Sequence, residues 1–290
     1  MKQILVISGK GGTGKTVITA NFAALSENKV MADCDVDAAD LHLLLHPEIK
    51  EEYNFEGGKT AVIAQEKCIN CGKCRETCRF EAIKEEENKT IIDSLACEGC
   101  GACTLVCPED AITLKVEEEV GHWFISETKY GPMVHAQLGI AQENSGRLVS
   151  LVREKAQDIA LEKKLNYIII DGPPGIGCPV IASLSGVDLA LVVIEPTLSG
   201  MHDAQRAINV AKHFGIKTVV CINKCDINLK NSKIIKKDCS ASGIPVIGEI
   251  PFDRIVPESL VEGKPIVEYK NCPVSSEIRS LWDKITKILD

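Results

Sequence analysis

The sequence predicts an α/β fold, a doubly wound and mostly parallel sheet, with a second and smaller domain set into it. Three observations predict it. Apolar runs of strand length alternate with helical periodicity through most of the 290 residues. The first of these runs ends in a glycine-rich loop that opens a helix. A block over residues 64–118 breaks the rhythm with closely spaced cysteines. The domains are therefore expected at 1–63, 64–118 and 119–290, the first and last being two parts of one fold.

Ile4–Ile7 is the first buried strand, since a run apolar on both faces suits a parallel sheet. It leads into Gly9-Lys10-Gly11-Gly12-Thr13-Gly14-Lys15-Thr16 and then Val17. This is G-x4-G-K-[ST] between a strand and a helix, the setting the phosphate-binding loop requires. Glycines let backbone N–H groups close on phosphates, and the helix N-terminus adds its dipole. Lys15 is expected on the β- and γ-phosphates and the Thr16 hydroxyl on Mg²⁺. The second strand, Val30–Ala32, ends in Asp33-Cys34-Asp35-Val36-Asp37.

The cysteine block is an internal repeat. Cys68, Cys71, Cys74 and Cys78 recur 29 residues later as Cys97, Cys100, Cys103 and Cys107, and Ala82-Ile83 recurs as Ala111-Ile112. Both halves read C-x2-C-x2-C-x3-C. Three thiolates in one tight loop can hold three corners of a cubane while the fourth points to the other cluster. One 4Fe–4S cluster is therefore expected on Cys68, Cys71, Cys74 and Cys107, the other on Cys78, Cys97, Cys100 and Cys103. Gly72, Gly99, Gly101 and Ala102 leave room for amides beside the sulfurs. Structural zinc is disfavoured, because zinc sites pair C-x2-C knuckles.

Strands follow at Tyr167–Ile170, Leu189–Ile194, Thr218–Ile222 and Val246–Ile250, with helical spacing at 146–163 and 200–213. Asp171 ends a buried apolar strand, where a carboxylate can reach Mg²⁺ through water. Asn223-Lys224-Cys225-Asp226 follows another strand and resembles the guanine-reading N-K-x-D signature. Ile278, Leu281, Trp282, Ile285, Ile288 and Leu289 form an apolar stripe whose polar face is mixed in charge, which points to packing on the sheet rather than on a membrane.

The chain has 14 cysteines, is 45% hydrophobic and carries a net charge of −8. No basic stripe stands out, so nucleic acid is excluded as a partner. The N-terminal apolar run is too short for an export signal or a membrane span, so a cytoplasmic location is expected. In a reducing compartment, clustered cysteines point to metal.

Two resemblances add to this. Over roughly 55 residues the repeat resembles the bacterial two-cluster ferredoxins. Its second half keeps their Cys107-Pro108, and its first departs with Cys78-Arg79. Over about 230 residues the rest is similar to the deviant P-loop ATPases of the MinD/Mrp/ParA and nitrogenase iron protein group, on the strength of Lys10 before Lys15. That resemblance implies ATP as nucleotide and an ATP-dependent dimer, a homodimer or a pairing with a paralogue, in which Lys10 reaches the other subunit's nucleotide. It implies that Asp35 orients the attacking water, that Asp33, Asp35 and Asp171 serve Mg²⁺, and that the Gly172 amide senses the γ-phosphate. Asn223 and Lys224, with Pro251 and Phe252, would hold the adenine. Cys178 stands at the offset from Asp171 where the nitrogenase iron protein has a cluster ligand, but no cysteine lies between Cys107 and Asp171, so a shared intersubunit cluster lacks its second ligand. The remaining cysteines, Cys34, Cys221, Cys225, Cys239 and Cys272, read as small core residues.

These features lead to an ATPase coupling a nucleotide-switched dimer to electron transfer, or to maturation of a metal centre, on a redox or metal-bearing partner. The alternatives are a cluster carrier or scaffold, and a MinD/ParA-like positioning ATPase with clusters as sensors.

Overall fold

The computed structural model describes residues 1–94, 96–116, 120–139 and 145–290. In chain order the elements begin β1 (Lys2–Ser8), α1 (Lys15–Leu25), β2 (Lys29–Asp33), α2 (His42–Leu45), β3 (Glu48–Phe55), β4 (Lys59–Ile63), α3 (Lys73–Thr77), β5 (Ile83–Glu86), β6 (Lys89–Ile92), α4 (Ala102–Val106) and β7 (Ile112–Val116). They continue with β8 (Gly121–Thr128), β9 (Gly131–Leu138), α5 (Ser145–Glu162), β10 (Tyr167–Pro174), α6 (Cys178–Leu184), β11 (Leu189–Ile194), α7 (Leu198–His213), β12 (Thr218–Asn223), α8 (Leu229–Ala241), β13 (Val246–Ile250), α9 (Ile255–Val261), α10 (Ile266–Tyr269) and α11 (Pro273–Leu289). The chain divides into two units, a larger one of Met1–Tyr53, Trp123–Leu138 and Ser145–Asp290, and a smaller one that begins at Asn54, runs to His122 and includes Gly139.

The larger unit is built on a sheet ordered β13-β12-β11-β1-β10-β2-β9-β8-β3. Every ladder from β13 to β9 is parallel. β1 lies between β10 and β11, so the winding reverses beside it and opens a crevice at the carboxyl ends of the strands, where such sheets bind ligands. The strands are apolar on both faces because both are covered. Ile4, Val6, Met31 and Ile169 pack in one core cluster with Phe22 of α1 and with Ile278, Leu281 and Ile285 of α11. Helices α5, α6 and α7 cover the opposite face, where Leu5 and Ile7 point by strand alternation. Each such buried side chain contributes about 1.5–3 kcal/mol.

The apolar stripe of α11 is core. Trp282 lies 5.1 Å from the Phe22 ring and 5.6 Å from that of Tyr167. Among the described residues no helix is long and apolar enough to cross a membrane.

The smaller unit keeps the sequence repeat in its backbone. Left-handed φ angles occur at Asn70 and Gly99, at Gly72 and Gly101, and at Glu81 and Asp110, three pairs each separated by the repeat's 29 residues. The short helices α3 and α4 both start after such a glycine, and both end in an extended cysteine, Cys78 (φ −73°, ψ 111°) or Cys107 (φ −76°, ψ 113°). β4 pairs antiparallel with β7, and β5 with β6.

Two differences from the expected layout have physical causes. The smaller unit starts at Asn54 rather than at 64, because β4 pairs with β7 across the whole repeat, a contact that cysteine spacing does not encode. The expected boundary at 118/119 lies outside the described residues. Strands β3, β8 and β9 extend the sheet beyond the predicted strands. β3 reads EIKEEYNF and is exposed at all but its last residue, so it carries no buried apolar run to betray it.

Candidate functional site

The crevice lies at the end of β1. The backbone turns through left-handed Gly12 (φ 75°) and Gly14 (φ 93°), the latter capping α1. Gly9 has no room for a side chain, since a Cβ there would stand 2.1 Å from the Asp203 backbone of α7. The loop thus bends tightly against α7. Thr13 Oγ1 is buried without a partner.

Lys15 is 5% exposed, and its Nζ lies 3.5 Å from Asp35 Oδ2. Burial pushes the Asp35 carboxyl up to about 6, against the pull of Lys15. Asp171 is fully buried within β10, which runs past the predicted strand end to Pro174. Its Oδ1 accepts from the Thr19 hydroxyl at 2.9 Å, the Thr16 hydroxyl lies nearby, and its Oδ2 has no partner. Burial raises its pKa, while Lys15 and the two hydroxyls oppose the rise. Asp33, also fully buried, accepts the N–H groups of Asp35 at 3.2 Å and Leu41 at 3.3 Å, which fixes the segment after β2. Burial and the nearby Asp171 hold Asp33 well above the usual carboxylate range. Three carboxylates with raised pKa values thus lie near a hydroxyl-bearing helix turn, burial being the first cause of each rise.

Among the described residues no three Cys, His, Asp or Glu side chains converge as the ligands of a single ion. A Mg²⁺ ion in a phosphate-binding loop takes most of its oxygens from a hydroxyl, phosphates and water. The orphaned Asp171 Oδ2 and the Thr16 hydroxyl fit that donor set. Gly172 is packed under β1, and a Cβ there would come within 2.6 Å of Ile7 and 2.8 Å of Leu5.

Beside the loop, a cavity of about 270 Å³ is lined by Gly12, Asn223, Lys224, Pro251, Phe252 and Val256 among others. The four residues expected around a base are thus brought together. Asn223 donates to the Thr13 carbonyl at 2.7 Å, which pins β12 to the loop. A second cavity of about 480 Å³ runs along the phosphate side and includes Lys15, Thr16, Val17 and Asp35.

Lys10 is held within its own chain. Its Nζ donates to Thr197 Oγ1 and Ser199 Oγ, both at 3.2 Å, and lies 3.7 Å from Glu195 Oε2. The other oxygen of Glu195 lies 3.5 Å from Lys224 Nζ. One carboxylate therefore stands between the loop lysine and the lysine of the base cavity. Thr19 and Glu195 are site residues that motif reading missed. Thr16 and Thr19 are three apart on α1 and share a face, and Glu195 follows the buried strand β11 at its functional end; those were the available signals.

The profile of the CobQ/CobB/MinD/ParA nucleotide binding domain matches residues 4–266. The chain belongs to this family. An uncharacterized protein of Methanocaldococcus jannaschii is 33% identical over 291 residues, covering 99% of this chain and 97% of that protein. A septum site-determining protein MinD of Mesostigma viride is 27% identical over 282 residues, covering 94% of this chain and 79% of that protein. Among solved structures, MinD with Mg-ADP from Pyrococcus horikoshii has a TM-score of 0.58 over 99% of this chain and 97% of that one, at 18% identity. The MinC:MinD complex of Aquifex aeolicus reaches 0.60 over 99% and 96%, at 19% identity. These structures share the fold, the α/β fold of the P-loop NTPases with a large, mostly parallel sheet. The CobQ/CobB/MinD/ParA assignment agrees with the resemblance drawn from Lys10 and Lys15.

In the smaller unit, Cys68, Cys71, Cys74 and Cys107 line one small cavity, and Cys78, Cys97, Cys100 and Cys103 line another. Each takes three cysteines from one half of the repeat and one from the other, the grouping the spacing predicts. Cys74 and Cys103 are each 8% exposed, and burial raises both thiols. Backbone N–H groups already face sulfur: Ala61 donates to Cys97 at 3.5 Å and Ala111 to Cys107 at 3.3 Å. Cys178 is exposed at the start of α6, whereas Cys34, Cys221 and Cys239 are buried.

Proposed function

We propose that this chain is an ATP-hydrolysing switch of the MinD/ParA type that dimerises on binding ATP. One observation supports this above the others: a phosphate-binding loop whose buried Lys15 is tied to Asp35, beside a fully buried Asp171 with a free oxygen. Bound triphosphate draws Lys15 from Asp35 to the β- and γ-phosphates. Thr16, Asp171 and Asp33 would hold Mg²⁺, which supplies charge neutralisation at those oxygens. Asp35, freed of Lys15, accepts from the water that attacks the γ-phosphorus, and the bond to ADP breaks. Lys10 leaves Glu195, Thr197 and Ser199 to reach the partner's nucleotide, as an arginine finger does.

The test is phosphate release and oligomeric state with and without ATP. Asp35→Ala should bind ATP, lose hydrolysis and accumulate dimer, and Lys10→Ala should not dimerise. Hydrolysis that survives Lys15→Ala would sink the reading.

A second reading is favoured by the two cysteine-lined cavities. The smaller unit would hold two 4Fe–4S clusters, one on Cys68, Cys71, Cys74 and Cys107, the other on Cys78, Cys97, Cys100 and Cys103. Four thiols around each cavity, spread too widely for one ion, fit a cubane's donor set. Such clusters store single electrons. Anaerobic reconstitution should give about eight irons per chain, and Cys→Ser changes within one set should remove about half.

For what the switch serves, the comparisons favour positioning over electron transfer. Names among the relatives speak of septum site determination and cell division. The first reading is therefore a positioning ATPase with clusters as sensor or strut. Coupling to electron transfer, to metal-centre maturation or to cluster delivery is motivated by the cysteines alone.

A further inference from the structure

Asp226 occupies the place from which the aspartate of N-K-x-D reads guanine. Guanine offers two adjacent donors, a ring N–H and an exocyclic amine, and a reading carboxylate meets both with its two oxygens. The geometry here is different. Asp226 is not among the residues that line the base cavity. Its Oδ1 instead accepts the backbone N–H of Phe252 at 2.7 Å. Phe252 and Pro251 do line the cavity, and the Phe252 side chain is half exposed at its mouth. The turn that carries Asp226 is itself fixed. Cys225 N–H donates to the Ile250 carbonyl at 2.9 Å, and the Ser232 hydroxyl donates to the Cys225 carbonyl at 2.6 Å. The strut therefore runs from a pinned turn to the middle of the Pro251–Phe252 loop, between the bonds at Ile250 and Asp253.

The carboxylate that does line the cavity is Asp253, and its Oδ1 is taken by Ile255 N–H at 3.0 Å. One remaining oxygen matches the single amino group of adenine better than guanine's paired donors.

We propose that Asp226 is a positioning residue that holds the Pro251–Phe252 lip over the base, and that the N-K-x-D sequence here specifies adenine by this route. The inference deepens the ATP-switch reading and rests on it.

Xanthine separates the two roles. It carries an oxygen where guanine carries its amine, so replacing a guanine-reading aspartate by asparagine trades GTP binding for xanthosine triphosphate binding. Fluorescent analogues of ATP, GTP and xanthosine triphosphate would be titrated against the full chain, Asp226→Asn and Asp226→Ala. The unaltered chain is expected to prefer ATP. Asp226→Asn, whose amide oxygen still accepts from Phe252 N–H, should stay within about twofold for ATP and gain no affinity for xanthosine triphosphate. Asp226→Ala should bind ATP about fivefold more weakly, as suits one exposed charge-assisted hydrogen bond. Phe252→Ala should lose a similar factor, and the double variant little more. Gain of xanthosine triphosphate binding by Asp226→Asn overturns the proposal, as does unchanged ATP affinity in Asp226→Ala. If the unaltered chain binds no triphosphate, the switch reading itself has failed, and that is seen before any variant is compared. Should Asp226→Ala not fold, the asparagine variant still decides between strut and reader.

Discussion

Thr19→Val tests the wiring between α1 and the metal end of β10. Valine keeps the shape of threonine and deletes only the hydroxyl, which in the folded chain lies 2.9 Å from Asp171 Oδ1, with both residues fully buried. Asp171 Oδ2 has no partner to begin with, and the substitution removes the side-chain hydrogen bond to Oδ1. A hydrogen bond to a charged group contributes about 1.5–3 kcal/mol. In a unit of this size, about 2 kcal/mol lowers the melting temperature by roughly 4–8 °C. The loss depends on pH. Burial already holds Asp171 above the ordinary carboxylate value, and the Thr19 hydroxyl opposes that rise. Removing it moves the folded value further up. A group whose folded pKa is raised contributes stability that is present below its unfolded value and lost as pH rises through the folded one. The deficit should therefore be larger near pH 8 than near pH 5. Calorimetry at both values, without nucleotide, reads the stability. A Mg²⁺ titration of ATP hydrolysis reads the site, with half-saturation expected to rise about tenfold. A variant that melts with the unaltered chain at both pH values and needs no more Mg²⁺ would refute the reasoning.

Other outcomes follow from the same geometry. Asp35 is pushed up to about 6, so the chain should lose stability as pH rises from about 4 to about 6, and Asp35→Asn should flatten that slope in thermal melts. Glu195→Gln removes a partly buried ion pair to Lys10 at 3.7 Å, worth about 1 kcal/mol after screening, and should tighten the ATP-dependent dimer about fivefold in sedimentation. Gly99→Ala would put a Cβ 1.9 Å from the Lys59 carbonyl at a left-handed φ of 60°. After anaerobic reconstitution it should lose about half of the bound iron, whereas Asn70→Gly at the equivalent position in the first half should keep it.

Much of the larger unit was legible in the sequence because buried parallel strands are written as continuous apolar runs. Leu189–Ile194 and Val246–Ile250 match the structure end to end. The phosphate-binding loop was legible because its chemistry is local: glycines, a lysine and a threonine within eight residues of one turn. What escaped is long-range. β3 at the sheet's edge is partnered on one side only, it and β8 carry mixed residues, and no local pattern says that Lys59–Ile63 pairs with Ile112–Val116. Lys10 was legible as a motif residue, but its resting place on Glu195, Thr197 and Ser199 depends on where β11 delivers the chain. Asp226 shows the opposite error. Its motif was read correctly, yet the carboxylate meets a backbone amide that only the fold brings near.

The exchange of Cys78 and Cys107 between the two cysteine cavities has a mechanical consequence. Each half of the repeat closes the other's ring, so the halves are linked like two clasped hands. Either half rebuilt alone would line its cavity with three cysteines and hold its fourth out to a missing partner.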